Sequence, residues 1–188
     1  MAKWLLLTAC LCSLLFVHPV QAFDFHVGAG AGMFQADDPE IKSSQTPSGF
    51  VLMGAKYSLS RNSAVVSELQ YSAFTSDAKT NRMGLKAKSI DWSLAYSYQY
   101  PFSYQVRPMI NIGGFVSQFS LKDRHRIDEN GYLIRQYDDH STITGGLITS
   151  IHHDFEIDRF DSAWGLGIQI KYAFSGVNSI GAYASYRF

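Results

Sequence analysis

The chain has 188 residues, enough for one domain and short for two. Charged residues make up only 17%, and Lys+Arg and Asp+Glu balance at 16 each, so the basic excess of a nucleic-acid binder is missing. Aromatics reach 14%, and the mean hydropathy of -0.06 fits a soluble protein or a barrel whose strands alternate between lipid and interior.

Lys3 opens a positive start, followed by an apolar stretch from Trp4 to Val17 that Pro19 ends. Val20-Gln21-Ala22 fits the small-x-small cleavage rule, so residues 1–22 read as a cleaved secretory signal and 23–188 as the mature domain. Leu7-Thr8-Ala9-Cys10 resembles a lipoprotein box, but most of the apolar stretch follows Cys10 rather than preceding it. Cys10 and Cys12 both lie in the leader, which leaves the mature domain no disulfide framework.

Beyond Ala22 the pattern has period two, as in half-buried strands. Eight strands are predicted, over about 23–34, 50–59, 64–74, 89–100, 104–119, 142–151, 164–172 and 179–188. In the first, Phe23, Phe25, Val27, Ala29, Ala31 and Met33 share one face opposite Asp24, His26 and three glycines. The fourth is the clearest, with Ile90, Trp92, Leu94, Tyr96, Tyr98 and Tyr100 alternating with serines, Asp91 and Gln99. The fifth contains Pro108, which cannot donate to a ladder.

Ser60-Arg61-Asn62-Ser63 and Pro101-Phe102-Ser103 read as tight turns, and 35–48, 75–86 and 120–140 as long polar loops. Within the longest, Glu129-Asn130-Gly131 is a hairpin turn signal. Short turns on one side and long loops on the other are the pattern of an outer-membrane barrel. The segment 154–161 breaks it by being long, and 175–178 by being short.

Alternation alone does not decide which face meets lipid, since a lipocalin-like barrel has an apolar interior. Three features put lipid outside. Tyr57, Tyr98, Tyr100, Tyr104, Trp164, Tyr186 and Phe188 collect near the short-turn side, and Tyr71, Trp92 and Tyr172 near the loop side, as interfacial aromatics do. The other face is rich in Gly, Ser and Ala, which fit a narrow interior. The sequence also closes on a strand ending Tyr186-Arg187-Phe188.

The strand spacing, Arg107-Pro108 before the fifth strand and the closing Gly181-Ala182-Tyr183-Ala184-Ser185-Tyr186-Arg187-Phe188 resemble the small outer-membrane barrels grouped with OmpX, NspA and the OmpA barrel domain. The resemblance implies an all-β, eight-stranded antiparallel up-and-down transmembrane barrel. It implies a monomer integral to the bacterial outer membrane, put in place by the outer-membrane assembly machinery through its last strand. It also implies roles in envelope integrity, adhesion or defence against host factors.

Two residue sets stand out. The inward charges Asp24, Lys56, Glu68, Asp91, Arg107, Lys171 and Arg187 are of both signs, and Glu68, Asp91, Arg107 and Lys171 are expected to form an interior network. An ion path is the other reading of the same residues. Lys79, Arg82, Lys86 and Lys88 surround one loop, and Lys122, Arg124 and Arg126 climb the hairpin beside several carboxylates. These seven cations are the candidate contacts for lipopolysaccharide phosphates or an acidic host-surface molecule.

No cofactor or metal is expected, and no catalytic set is recognisable. His140-Ser141 and His152-His153 are the nearest candidates, but neighbours on a strand face opposite ways, and neither G-x-S-x-G nor the His-x-Ser-Asn of lipid A deacylases occurs. The sequence therefore reads as a non-enzymatic surface barrel. A lipid A-modifying barrel (acyl transfer or deacylation) and a small channel are the alternatives.

Overall fold

The computed structural model describes residues 23–37, 43–80, 82–103, 106–156 and 162–188. The leader read over residues 1–22 and the expected start of the fifth strand at Tyr104 lie outside the described residues. The elements are β1 (Phe23–Asp37), β2 (Thr46–Ser60), β3 (Ser63–Ser76), β4 (Gly84–Gln99), β5 (Met109–Ile127), β6 (Leu133–Gln136), β7 (His140–Glu156), β8 (Ala163–Ala173) and β9 (Gly176–Arg187).

β1 to β5 pair antiparallel in chain order, β5 also pairs β7, β7 to β9 pair in chain order, and β1 pairs β9 through Ala29↔Ala184, which closes the sheet. Eight strands form the barrel. The short β6 pairs with β5 beyond the barrel rim as the second arm of a hairpin. Closure leaves no unpaired edge in the wall, the condition for crossing a bilayer with strands.

The strands continue past their predicted ends because ladder hydrogen bonds continue where apolar alternation has stopped. β1 extends to Asp37 and β2 begins at Thr46, so the first loop is shorter than 35–48. β5 starts at Met109, later than predicted, and the turn expected at 101–103 is a longer connection. Pro108 lies before the ladder and uses only its carbonyl, which accepts from Tyr100 N at 2.9 Å, so its missing N–H is no flaw. At the hairpin tip the Asp128 carboxylate accepts from Asn130 N at 2.9 Å and Tyr132 N at 2.8 Å, and Gly131 takes φ +85°, as the Asn-Gly signal requires. The short link between β8 and β9 is Phe174-Ser175, at the same end as that hairpin.

The outward faces are apolar along the wall. Trp92, Leu94, Tyr96, Leu166, Ile168 and Ile180 are among the large exposed side chains, and their neighbours on the same strands point inward. Exposure of so many large apolar groups is untenable in water but suits acyl chains. The interior is layered. Toward the hairpin end Phe34, Phe50, Phe74, Leu85, Phe119 and Leu121 pack into a dry core, with Phe34 5.7 Å from Phe74 and 6.2 Å from Phe50 between ring centres. The inner face is thus not uniformly small and polar as its Gly, Ser and Ala content suggests. Below this core lies a polar layer, and below that a cluster of charges near the start of β1 and the end of β9, called the terminal end below.

Candidate functional site

In the polar layer Asp91 of β4 pairs with the Lys171 ammonium of β8 and accepts from the Ser117 hydroxyl of β5. Lys171 lies 4.7 Å from the Phe115 ring centre, and Gln169 donates to Gln70 at 2.8 Å beside it. Both ions are almost completely buried, so each depends on the other to offset its lost hydration. Of the four charges expected to share one network, Glu68 lies a layer lower, hydrogen-bonded to His26 Nε2 at 2.9 Å. Arg107 stands half-buried in the β4–β5 connection, ahead of the ladder.

The terminal end holds a second cluster. His152 Nε2 is 2.8 Å from Asp154 Oδ1, and Arg187 Nη1 lies 3.5 Å from Asp24 and 3.8 Å from Asp154. Gly165 makes room for it, because a Cβ there would sit 2.5 Å from Ser185 Oγ and 2.8 Å from Asp154 Oδ1. The cavity among these groups measures about 30 Å³. That is room for a few waters at most, not for a lipid substrate. Sequence reasoning placed Asp24, Lys56 and Arg187 inward but missed the two histidine–carboxylate pairs, since the members of each pair are joined by the curvature of the wall or by a turn of side chain.

The adjacent candidates for catalysis are separated. His140 packs against the inward ring of Phe119 at 5.8 Å, whereas Ser141 is exposed. His152 joins the interior cluster, and His153 lies on the outer wall, edge-on to Phe155 at 4.7 Å. Among the described residues no three metal-ligating side chains converge.

The candidate cations divide in a way the sequence did not show. Lys86, Lys88 and Lys122 all point outward, with Lys86 opposite Lys122 in the register and Lys88 opposite Ser120. They stand directly above the mixed row Ile90↔Gln118 and the apolar row Trp92↔Val116. Successive same-face rows are about 7 Å apart along a strand, so the ammonium groups sit where the apolar girdle gives way to charge. Lys86 Nζ is 2.7 Å from Asp123 Oδ2, both exposed above the girdle. By hydrogen bond first and charge second, Lys86 holds the Asp123 carboxyl below the usual carboxylate range, and Asp123 raises Lys86 in return. Lys79 and Arg82 are exposed in the preceding loop, where their backbones bond each other at 2.8 and 3.1 Å.

Arg124 does not join Lys122. Asp123 adopts φ 52°, and the β4–β5 register shifts from Lys86↔Lys122 to Gly84↔His125, which is a β-bulge. The extra residue reverses the facing of the strand above it. Arg124 is therefore buried, donating to Asp138 O at 2.6 Å and lying 5.4 Å from the Tyr137 ring centre. Its side chain does not share the outward face of Lys86, Lys88 and Lys122. Arg126, half-buried, faces Arg135 across the hairpin.

A closed eight-stranded antiparallel barrel with an apolar, aromatic-bordered exterior is an outer-membrane β-barrel protein, integral to the membrane. Solved structures agree on the fold. The Neisserial surface protein NspA matches at a TM-score of 0.56 and 15% identity, covering 87% of this chain and 95% of its own. A major outer membrane protein from Thermus thermophilus matches at 0.55 and 13%, covering 89% and 100%. OprG from Pseudomonas aeruginosa matches at 0.54 and 9%, covering 89% and 97%. No known family profile and no curated protein matches the chain in sequence.

Proposed function

We propose that this barrel is a non-catalytic surface protein that grips lipopolysaccharide of its own leaflet with the outer-wall lysines and presents the β5–β6 hairpin to partners outside the cell. The observation that carries this reading is the rank of Lys86, Lys88 and Lys122 on one strand pair immediately above the girdle. Phosphates attached to acyl chains embedded beside Trp92 and Ile90 would meet these ammonium groups, with Lys79 and Arg82 above them. Coulomb attraction at such a boundary exceeds that in bulk water, because the wall below is of low dielectric. The apolar core around Phe34, Phe50 and Phe119 fills the interior at this end and supports a scaffold rather than a conduit.

Purified barrel in detergent, titrated with lipopolysaccharide, tests the reading. Lys86→Ala/Lys88→Ala/Lys122→Ala should weaken binding about tenfold, with a shallower salt dependence, on Coulomb grounds. Equal affinity would rule out the lysine rank, and altered lipid A mass spectra in the presence of the wild-type barrel would establish an enzyme instead. Cleavage after Ala22, which would leave Phe23 of β1 as the first residue, is the companion proposal, and N-terminal sequencing of the membrane-extracted protein checks it.

A further inference from the structure

The hairpin beyond the rim carries two guanidiniums face to face, since Arg126 of β5 is the register partner of Arg135 of β6. Directly opposed residues of an antiparallel pair project on one side of the sheet, with Cβ atoms about 5 Å apart. Arg124 and Tyr137, joined by Tyr137 N donating to Arg124 O at 2.8 Å, share that side by alternation. Arg135 lies 4.7 Å and Arg124 5.4 Å from the Tyr137 ring centre, so one ring serves two cations. Tyr137 also packs against the dry core, so this side of the hairpin looks toward the barrel axis and not along the lipid-facing wall.

Like charges placed directly opposite each other destabilise a strand pair unless a counter-charge offsets them. Among the described residues no carboxylate lies within 4.0 Å of Arg126 or Arg135. Three carboxylates of the same segment are engaged elsewhere. Asp123 holds Lys86 Nζ at 2.7 Å, Asp128 accepts from Asn130 N and Tyr132 N in the turn, and Asp139 accepts from Asp123 N at 3.2 Å. Arg135 is exposed and Arg126 half-buried, so both are reached from water. The Tyr137 ring orients the Arg135 guanidinium in advance, which reduces the freedom it would lose on binding.

We propose that Arg126 and Arg135 form a binding site for a phosphate or sulfate monoester carried by a molecule outside the cell. This rests on the reading of the hairpin as partner-facing and names the chemistry of that partner. A guanidinium fork takes two acceptor oxygens. A carboxylate has only two and saturates one fork, whereas a phosphate or sulfate monoester presents three free oxygens and bridges both. The site is separate from the lysine rank, which faces the outer wall below the bulge at Asp123.

Side-chain NMR of the whole barrel, labelled with nitrogen-15 arginine in uncharged maltoside micelles, tests this by titration with glucose 6-phosphate, inorganic phosphate and acetate. The Nε–H resonances of Arg126 and Arg135 should shift together and saturate with glucose 6-phosphate, at about a fivefold lower concentration than with acetate. Arg126→Lys and Arg135→Lys each keep the charge, remove one fork and identify one resonance. Each should weaken saturation at the remaining arginine about fivefold. Lys86→Ala/Lys88→Ala/Lys122→Ala should leave the titration unchanged, and heat-shifted gel migration establishes that each variant is folded. Absence of a saturable shift, acetate equal to the monoester, or full affinity in either lysine variant would overturn the site. Tighter binding of inorganic phosphate than of glucose 6-phosphate would overturn the assignment to an esterified group in favour of the free ion. The two failures are distinguishable, because attachment that survives loss of the hairpin removes the partner reading, whereas absent shifts remove this site.

Discussion

Arg187, on the last strand, places Nη1 3.5 Å from the Asp24 carboxylate on the first, so an ion pair spans the seam at which the barrel closes. The same guanidinium reaches Asp154 of β7 at 3.8 Å, and Lys56 of β2 approaches Asp24 at 4.0 Å. Four strands are tied together at the end where β1 starts and β9 finishes.

Arg187→Ala should therefore loosen closure. Removing a half-buried partner from two carboxylates is expected to cost about 1–2 kcal/mol, between the values for surface and fully buried pairs. The urea midpoint of the heat-modifiable band would fall, and Arg187→Lys would recover part of the loss. An unchanged midpoint would mean that backbone pairing alone secures the seam.

Asp91→Ala leaves the Lys171 ammonium buried without its counter-ion, and destabilisation of about 3–5 kcal/mol is expected from an orphaned charge. Adding Lys171→Met, which removes that charge and fills similar space, should restore most of the stability. If the double variant is as unstable as the single one, the carboxylate acts through its bond with Ser117 rather than through the ion pair.

Gly165→Ala would force a methyl against Ser185 and Asp154, at a cost of about 1–3 kcal/mol for overpacking. Wild-type thermal stability in this variant would show that the charge cluster yields easily.

Lys122 and Arg124 are two residues apart and should behave oppositely. Lys122→Ala should weaken lipopolysaccharide binding and leave the hairpin intact. Arg124→Ala removes the bond to Asp138 and the contact with Tyr137, so it should speed proteolysis of the hairpin without altering lipopolysaccharide affinity. Limited trypsin digestion beside the binding titration separates the two, and parallel behaviour of the variants would count against the bulge.

Replacing residues 125–137 by a short turn should leave the barrel folded, because β4 and β5 pair without interruption below Lys122. Heat-shifted migration would be retained and attachment to external partners lost. Retained attachment would transfer that role to the other loops.

The residue pattern by itself determined the barrel. Period-two alternation assigned Ile90, Trp92, Leu94 and Tyr96 to one face and Asp91 to the other, and covalent geometry makes successive strand side chains point to opposite faces. Turn chemistry was equally readable at Asn130-Gly131, because positive φ restricts residue choice locally. Phe115 and Phe119, buried in the structure, keep the same parity along β5.

Only the closed tertiary structure decided which inward or loop residues meet. Asp91 and Lys171 are joined by wall curvature across a long stretch of chain, and no local pattern encodes that distance. The same holds for Phe34 and Phe74, whose contact builds the dry core. The cations divide in facing because the ladder is interrupted, whereas parity counting assumes that it is not. One residue at Asp123 in a left-handed conformation reverses the count, leaving Lys122 toward lipid and Arg124 within the protein. Facing is a local property of covalent geometry, whereas partnership depends on register and closure, which the whole sheet sets together.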